Sequence, residues 1–235
     1  MSMRHVSHRI KRLTPQRLIA ARAHRKAIMK FADKMGLVYF GSSQRDDEDY
    51  RLVRGHTLSP HVLDAHYCIG TYQNYDVVFV ERSALHSAHQ ATVAAQHWLI
   101  MTFDLHTSRE LPHMFIGRRE HSAAFYSQLF TKFPQLSPLG LTTVDGYTAE
   151  FLGAYTLYSR ITDAAEAVHL FDPSLTKVIG DQFRGLTIEV TDGTLYIYGE
   201  NATPTAHVLD VMLRYGAWLA ESIDVKTSPA SAPEV

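Results

Sequence analysis

"LTIEVTDGTLYIYG", residues 186–199, decides the fold. Asp192-Gly193 suits a two-residue type I′ turn, in which both central residues need positive φ. With those two as the loop, Val190 faces Leu195 and Ile188 faces Ile197. All four point to one side, so turn chemistry and hydrophobic register agree. The segment predicts an antiparallel hairpin with one face in a core.

Working outward, the flanks read as helices. Asp172-Pro173 predicts a helix start, with the aspartate as cap and the proline in the first position. Asp163 and Glu166 have capping-box spacing for the helix before it. Upstream, "FLGAYTLYSR" (151–160) predicts a strand. Downstream, Thr203-Pro204 predicts the start of a last helix reaching about Ile223, with Val208, Met212, Tyr215 and Leu219 on one face. Residues 225–235 are rich in Pro, Ser and Ala and predict a disordered tail.

The first half is mostly strand. "LVYF" (37–40) is one; "HYCIGTY" and "YDVVFVE" flank Gln73-Asn74 as a second hairpin. "HWLIMTFDLH" (97–106) and "PHMFIGR" (112–118) follow, then a helix over 121–133 stopped by Pro134. Strands and helices do not alternate regularly. The expectation is an α+β fold: a largely antiparallel sheet with helices packed on it, preceded by a basic N-terminal helix. Residues 36–224 read as a single domain, with lobes at 36–140 and 141–224 as the alternative division.

That helix is "TPQRLIAARAHRKAIMKFADKMG", residues 14–36. Thr14 suits the N-cap, Pro15 the first position and Gly36 the position after the end. Ala21, His24, Ile28, Phe31, Ala32 and Met35 share an apolar face. Arg22, Lys26, Lys30 and Lys34 form an i,i+4 ladder on the other, a spacing at which like charges repel. Residues 1–35 carry ten Lys/Arg and one acid, so 10 − 1 = +9; the rest carries thirteen and twenty-three, so 13 − 23 = −10. A basic arm precedes an acidic body.

The 235 residues are 46% hydrophobic and 20% charged, which excludes the disordered class. One cysteine excludes an intramolecular disulfide. The longest apolar run, "WLIMTF" (98–103), is too short to cross a bilayer, and no apolar segment follows the basic start as in a secretory signal. The expected location is the cytoplasm, with peripheral attachment to a membrane as the variant.

"YCIGTYQNYDVVFVE", followed by residues 151–200, is similar to a bacterial family of unknown function. Its members share a glycine-rooted strand pair, an aromatic strand, a helix, a proline-started second helix and a hairpin. The likeness covers roughly residues 36–223. Many members carry an N-terminal membrane hairpin, where this chain has a basic helix. The resemblance implies the fold and no activity, cofactor or catalytic residue.

Three candidate sites remain. "HTLSPHVLDAHYC" places His56, His61 and His66 at equal steps before Cys68. Steps of five gather on one side of neither a helix nor a strand, and the second ligand pair of a zinc site is missing, so no metal is expected. Asp104 and His106 share a face if their strand continues, and Arg109 or His113 would add a charge for an oxyanion. That pattern supports a hydrolase-type alternative. No nucleophile elbow, phosphate loop or dinucleotide fingerprint is present, and no cofactor is expected. The ladder Arg22, Lys26, Lys30 and Lys34 is the third candidate, an anion-binding face. An acidic protein or anionic membrane surface ranks ahead of nucleic acid as partner, because the face lacks aromatics for base stacking. The reading chosen is a binding or scaffold module rather than an enzyme.

Overall fold

The structure is a computed structural model that describes residues 15–41, 62–84 and 97–228. Helix α1 (Pro15–Met35) leads into β1 (Val38–Gly41), β2 (Val62–Tyr72), β3 (Tyr75–Ala84), β4 (His97–Asp104) and β5 (Met114–Arg118). Helix α2 (Ala123–Leu129), the two-residue β6 (Ser137–Pro138), α3 (Ala149–Ala154) and β7 (Tyr155–Ser159) follow. Helices α4 (Ala164–Leu170) and α5 (Pro173–Gln182), the hairpin β8 (Leu186–Thr191) and β9 (Thr194–Glu200), and α6 (Ala206–Thr227) complete it.

Among the described residues the strands form one sheet in the order β1-β2-β3-β4-β9-β8-β5-β7-β6. Every neighbouring pair is antiparallel. The fold is α+β, with α1 ahead of the sheet. The β8–β9 hairpin sits between β4 and β5, so strands from both halves of the chain meet in one sheet.

Local chemistry explains the hairpins. Asp192 and Gly193 have φ of 50° and 70°, and Gln73 and Asn74 have 48° and 70°. Both loops therefore have the positive φ pair that matches the twist of the flanking strands. Val190 pairs with Leu195 and Ile188 with Ile197, in the register expected.

Each face of the sheet carries a core. On the first, Phe79, Leu99, Met101, Phe103, Ile188 and Ile197 pack under α1, α3, α5 and α6. On the second, Val80, Trp98, Ile100, Phe115, Tyr196 and Tyr198 pack with Tyr126 and Leu129 of α2. Strand β4 is buried on both sides, which is why "WLIMTF" is apolar without alternation. Helix α6 lies close on β4: a Cβ at Gly216 would stand 2.2 Å from the Phe103 ring.

Several boundaries differ from expectation. Residues 149–154 are helical, because the Thr148 side chain accepts from the Phe151 amide and caps them; the strand begins at Tyr155. Thr205, not Thr203, caps α6, and the helix runs on to a buried Thr227, into the stretch expected to be tail. Asp163 makes no capping hydrogen bond; its carboxylate accepts from the Thr162 hydroxyl, and Glu166 pairs with Arg109 instead. Strand β5 starts at Met114 and α2 spans only Ala123–Leu129, capped by Ser122. Thr14 and residues 229–235 lie outside the described residues.

Candidate functional site

Helix α1 is held on the body by side chains at its C-terminal end. Ile28 (0% exposed), Phe31 (3%) and Ala32 are buried in the main core, and Met35 packs against it. His24 is half-buried and Ala21 is exposed, so the apolar face is shorter than its periodicity suggests. Gly36, at φ 72°, ends the helix, and the Leu37 amide donates to the Ala32 carbonyl at 2.8 Å. That closing bond needs a left-handed residue, hence the glycine.

With this face down, the ladder points outward. Arg22, Lys26 and Lys30 are exposed and have no ion pair among the described residues. Lys34 leans toward α6, 3.7 Å from the Asp210 carboxylate. The sole acid of α1, Asp33, is exposed near its C-terminal end. The N-terminal two-thirds of the outer face is thus free of negative charge.

Beneath α1 lies a carboxylate ringed by imidazoles. Glu81 of β3 and His97 of β4 are hydrogen-bonded at 2.8 Å. His66 of β2 has Nε2 3.9 Å from the other Glu81 oxygen, and its Nδ1 bonds the Tyr39 hydroxyl at 2.7 Å. Burial raises the Glu81 carboxyl, but the His97 hydrogen bond and the fields of His97, His66 and His24 outweigh it and hold it below its ordinary value. Burial lowers His66, and Arg25 and His24 of α1 add to this against the pull of Glu81. A β-bulge makes the arrangement. His66 has φ 58°, and the register slips between Ala65 and Cys68. The extra residue turns His66 toward Glu81 and sends Cys68 into the core.

Of the histidine–cysteine series, the two described members, His66 and Cys68, point to different surroundings. Cys68 is fully buried, with its thiol pushed up to about 12 by burial, and His66 faces Glu81 and Tyr39. His56 and His61 lie outside the described residues. Among the described residues no three His, Cys, Asp or Glu side chains are grouped to hold a metal ion.

The residues at the end of β4 also go separate ways. The strand stops at Asp104, whose carboxylate accepts from the Thr194 hydroxyl at 3.4 Å. His106 is beyond the strand: its amide donates to Asp224 of α6 at 3.0 Å, and its ring stacks on Tyr75 at 4.7 Å. Arg109 pairs with Glu166 at 2.5 Å. His113 is buried on the second face, 2.8 Å from Glu189. Asp104 and His106 have no common partner: the Leu105 amide still donates to the Gly193 carbonyl at 2.8 Å, while the His106 ring lies on Tyr75 and its amide on Asp224.

Sequence reasoning passed over a polar network on the second face. Arg82 donates to both oxygens of Asp64, from Nε and Nη2, each at 2.7 Å, and both residues are buried. The Tyr67 hydroxyl donates to Asp64 at 2.9 Å. Buried Glu189 accepts from the Tyr198 hydroxyl and is bonded to His113. The pairs join residues 18 and 76 positions apart, so only strand pairing brings them together. At the β5 end of the sheet, a cleft of about 460 Å³ is walled by Ala149, Gly153 and Gly180 and carries Arg118, Glu120 and Arg184.

No family model matches the chain, and no curated protein matches it. A solved structure shares the fold. It is the crystal structure of the mycobacterial trehalose monomycolate transport factor A, TtfA, with TM-score 0.62 and 9% identity, over 90% of this chain and 99% of that one. At that identity the likeness is one of architecture. Among the described residues no helix is long and apolar enough to cross a membrane.

Proposed function

We propose that this protein is a binding or scaffold module that presents the outer face of α1 to an anionic partner or surface. One observation carries the reading: Arg22, Lys26 and Lys30 have no ion pair among the described residues, on a helix whose other face is fixed in the core. Repulsion within the ladder weakens the isolated helix, and an opposing anion relieves it. A helix seated by Ile28 and Phe31 presents its charges in a fixed row, so binding does not have to order them. The shared fold with TtfA, named a transport factor, supports a binding role over a catalytic one. The separate partners of Asp104, His106 and Arg109 give the hydrolase alternative no common centre.

The test is a triple change, Lys26→Gln, Lys30→Gln and Lys34→Gln, assayed with anionic vesicles, duplex DNA and an acidic polypeptide at low and high salt. Each exposed lysine contributes about 1 kcal/mol at an anionic membrane, so the triple variant should bind on the order of a hundredfold more weakly. High salt should weaken the wild type in the same direction. Equal binding by the two proteins, or no binding by the wild type to any of the three at low salt, shows the ladder to be only a solvated face.

A further inference from the structure

The outer face of α1 is not purely basic. Ile19 is 66% exposed and Met29 is 43% exposed. At about 100° per residue, Ile19 falls between Lys26 and Lys30 in projection, in the middle of the charged stripe, and Met29 falls beside Arg22 at its edge. Neither residue contributes to the buried face formed by Ile28, Phe31 and Ala32. Nor does the helix need them for its own stability, because alanine has the higher helix propensity at an exposed site. Two bulky apolar side chains thus project among cations that have no ion pair among the described residues, away from the buried face.

We infer that the partner of this face is an anionic lipid bilayer, with Ile19 and Met29 entering the headgroup–acyl boundary while Arg22, Lys26 and Lys30 meet lipid phosphates. This rests on the anionic-surface reading of α1 and deepens it. A duplex offers the cations phosphates but no apolar layer for Ile19, and the face has no aromatic ring to stack on a base. An interfacial helix typically combines basic residues with apolar ones that reach below the headgroups. Here the helix keeps its main apolar face on the protein, so the contact is shallow. Long Arg and Lys side chains extend past neighbouring apolar groups and keep their charges at phosphate level. The attachment is reversible and needs both signals together, as one short apolar contact or three charges alone holds weakly.

The experiment uses the full chain and the double variant Ile19→Ser/Met29→Ser, with the lysine triple variant beside it. Binding is measured by co-sedimentation with phosphatidylcholine vesicles, with vesicles of phosphatidylcholine and phosphatidylglycerol, and by mobility shift with duplex DNA. Both altered side chains are exposed, so circular dichroism and thermal unfolding should match the wild type. The expected result is wild-type binding to the mixed vesicles, with a drop of roughly tenfold or more in the Ile19/Met29 variant. DNA binding, if present, should not distinguish that variant from the wild type. If the double variant binds mixed vesicles as tightly as the wild type while the lysine variant does not, the lipid insertion is wrong and the anionic-surface reading stands. Binding of DNA but not of mixed vesicles has the same meaning. If the wild type binds neither vesicles nor DNA nor an acidic polypeptide, both readings fall.

Discussion

Replacing Phe31 by Ala tests whether α1 is a docked element. Phe31 is buried in the main core along with Ile28 and Ala32, the deepest-seated of the described side chains of α1. Full burial of Ile28 and Phe31 stabilises docking by about 3–6 kcal/mol together. Helices in proteins draw most of their stability from the packing of one face, so the docked state of this 21-residue helix depends on those contacts. Truncating a buried phenylalanine costs about 3–5 kcal/mol, comparable to the whole hold. The helix should then open locally while the sheet stays folded. At about 1.4 kcal/mol per decade, amide exchange across residues 24–35 should speed up by roughly a hundredfold to a few thousandfold. Hydrogen exchange read by mass spectrometry gives this directly, with the β8–β9 hairpin as internal reference. Unchanged exchange across 24–35 would refute the docking energetics. A uniform increase that includes the hairpin would show that α1 is part of the global cooperative unit instead.

Three further outcomes are expected. Gly216→Ala should destabilise by about 1–3 kcal/mol in urea unfolding, although alanine gains about 1 kcal/mol in helix propensity, because the new methyl meets the Phe103 ring; a stabilised variant contradicts the close packing of α6 on β4. Asp64→Ala should cost about 3–5 kcal/mol by taking the bidentate carboxylate from the buried Arg82, and adding Arg82→Met should recover part of the loss; full additivity in the double-mutant cycle would show that the pair does not couple. Stability should fall with acid in two windows. His66 is held below its ordinary 6.5, so its contribution is complete above pH 6.5 and lost as pH falls through the lowered value; Glu81, held below 4.5, acts likewise from pH 4.5 downward. Glu81→Gln should flatten thermal-unfolding profiles below pH 4.5, and superposition on the wild type there would assign the acid loss to other groups.

What could be read from sequence was local. Both hairpins and the α5 start follow from two-residue signals, and the Asp172 side chain does accept from the Leu175 amide at 2.9 Å. The error at residues 151–154 has the same root: the capping threonine at 148 stands before aromatic residues that read as strand throughout. The Gly36 end of α1 and its apolar stripe were legible, the first from residue type and the second because a helix has a fixed period. The Glu81 cluster was not. A strict alternation puts His66 on the same face as Asp64, and only the bulge at His66 separates them, sending one under α1 and the other to Arg82. No residue type announces that bulge, since His66 takes a positive φ without a glycine. The same period places Ile19 and Met29 off the face of Ile28, Phe31 and Met35, and the docking of that face leaves both exposed.

The place of the β8–β9 hairpin between β4 and β5 sets an order of events on the ribosome. Strands β1 to β4 can pair as they emerge, yet β4 then presents an open, apolar edge that β9 covers in the finished sheet. That neighbour ends at Glu200, roughly a hundred residues after Asp104. At about 5–20 residues per second, the edge waits on the order of 5–20 seconds for its partner. An unpaired strand of this composition invites pairing with other chains. A nascent chain of this protein therefore passes through an interval in which the sheet's centre, rather than its rim, is the adhesive part, and the arrival of "LTIEVTDGTLYIYG" ends it.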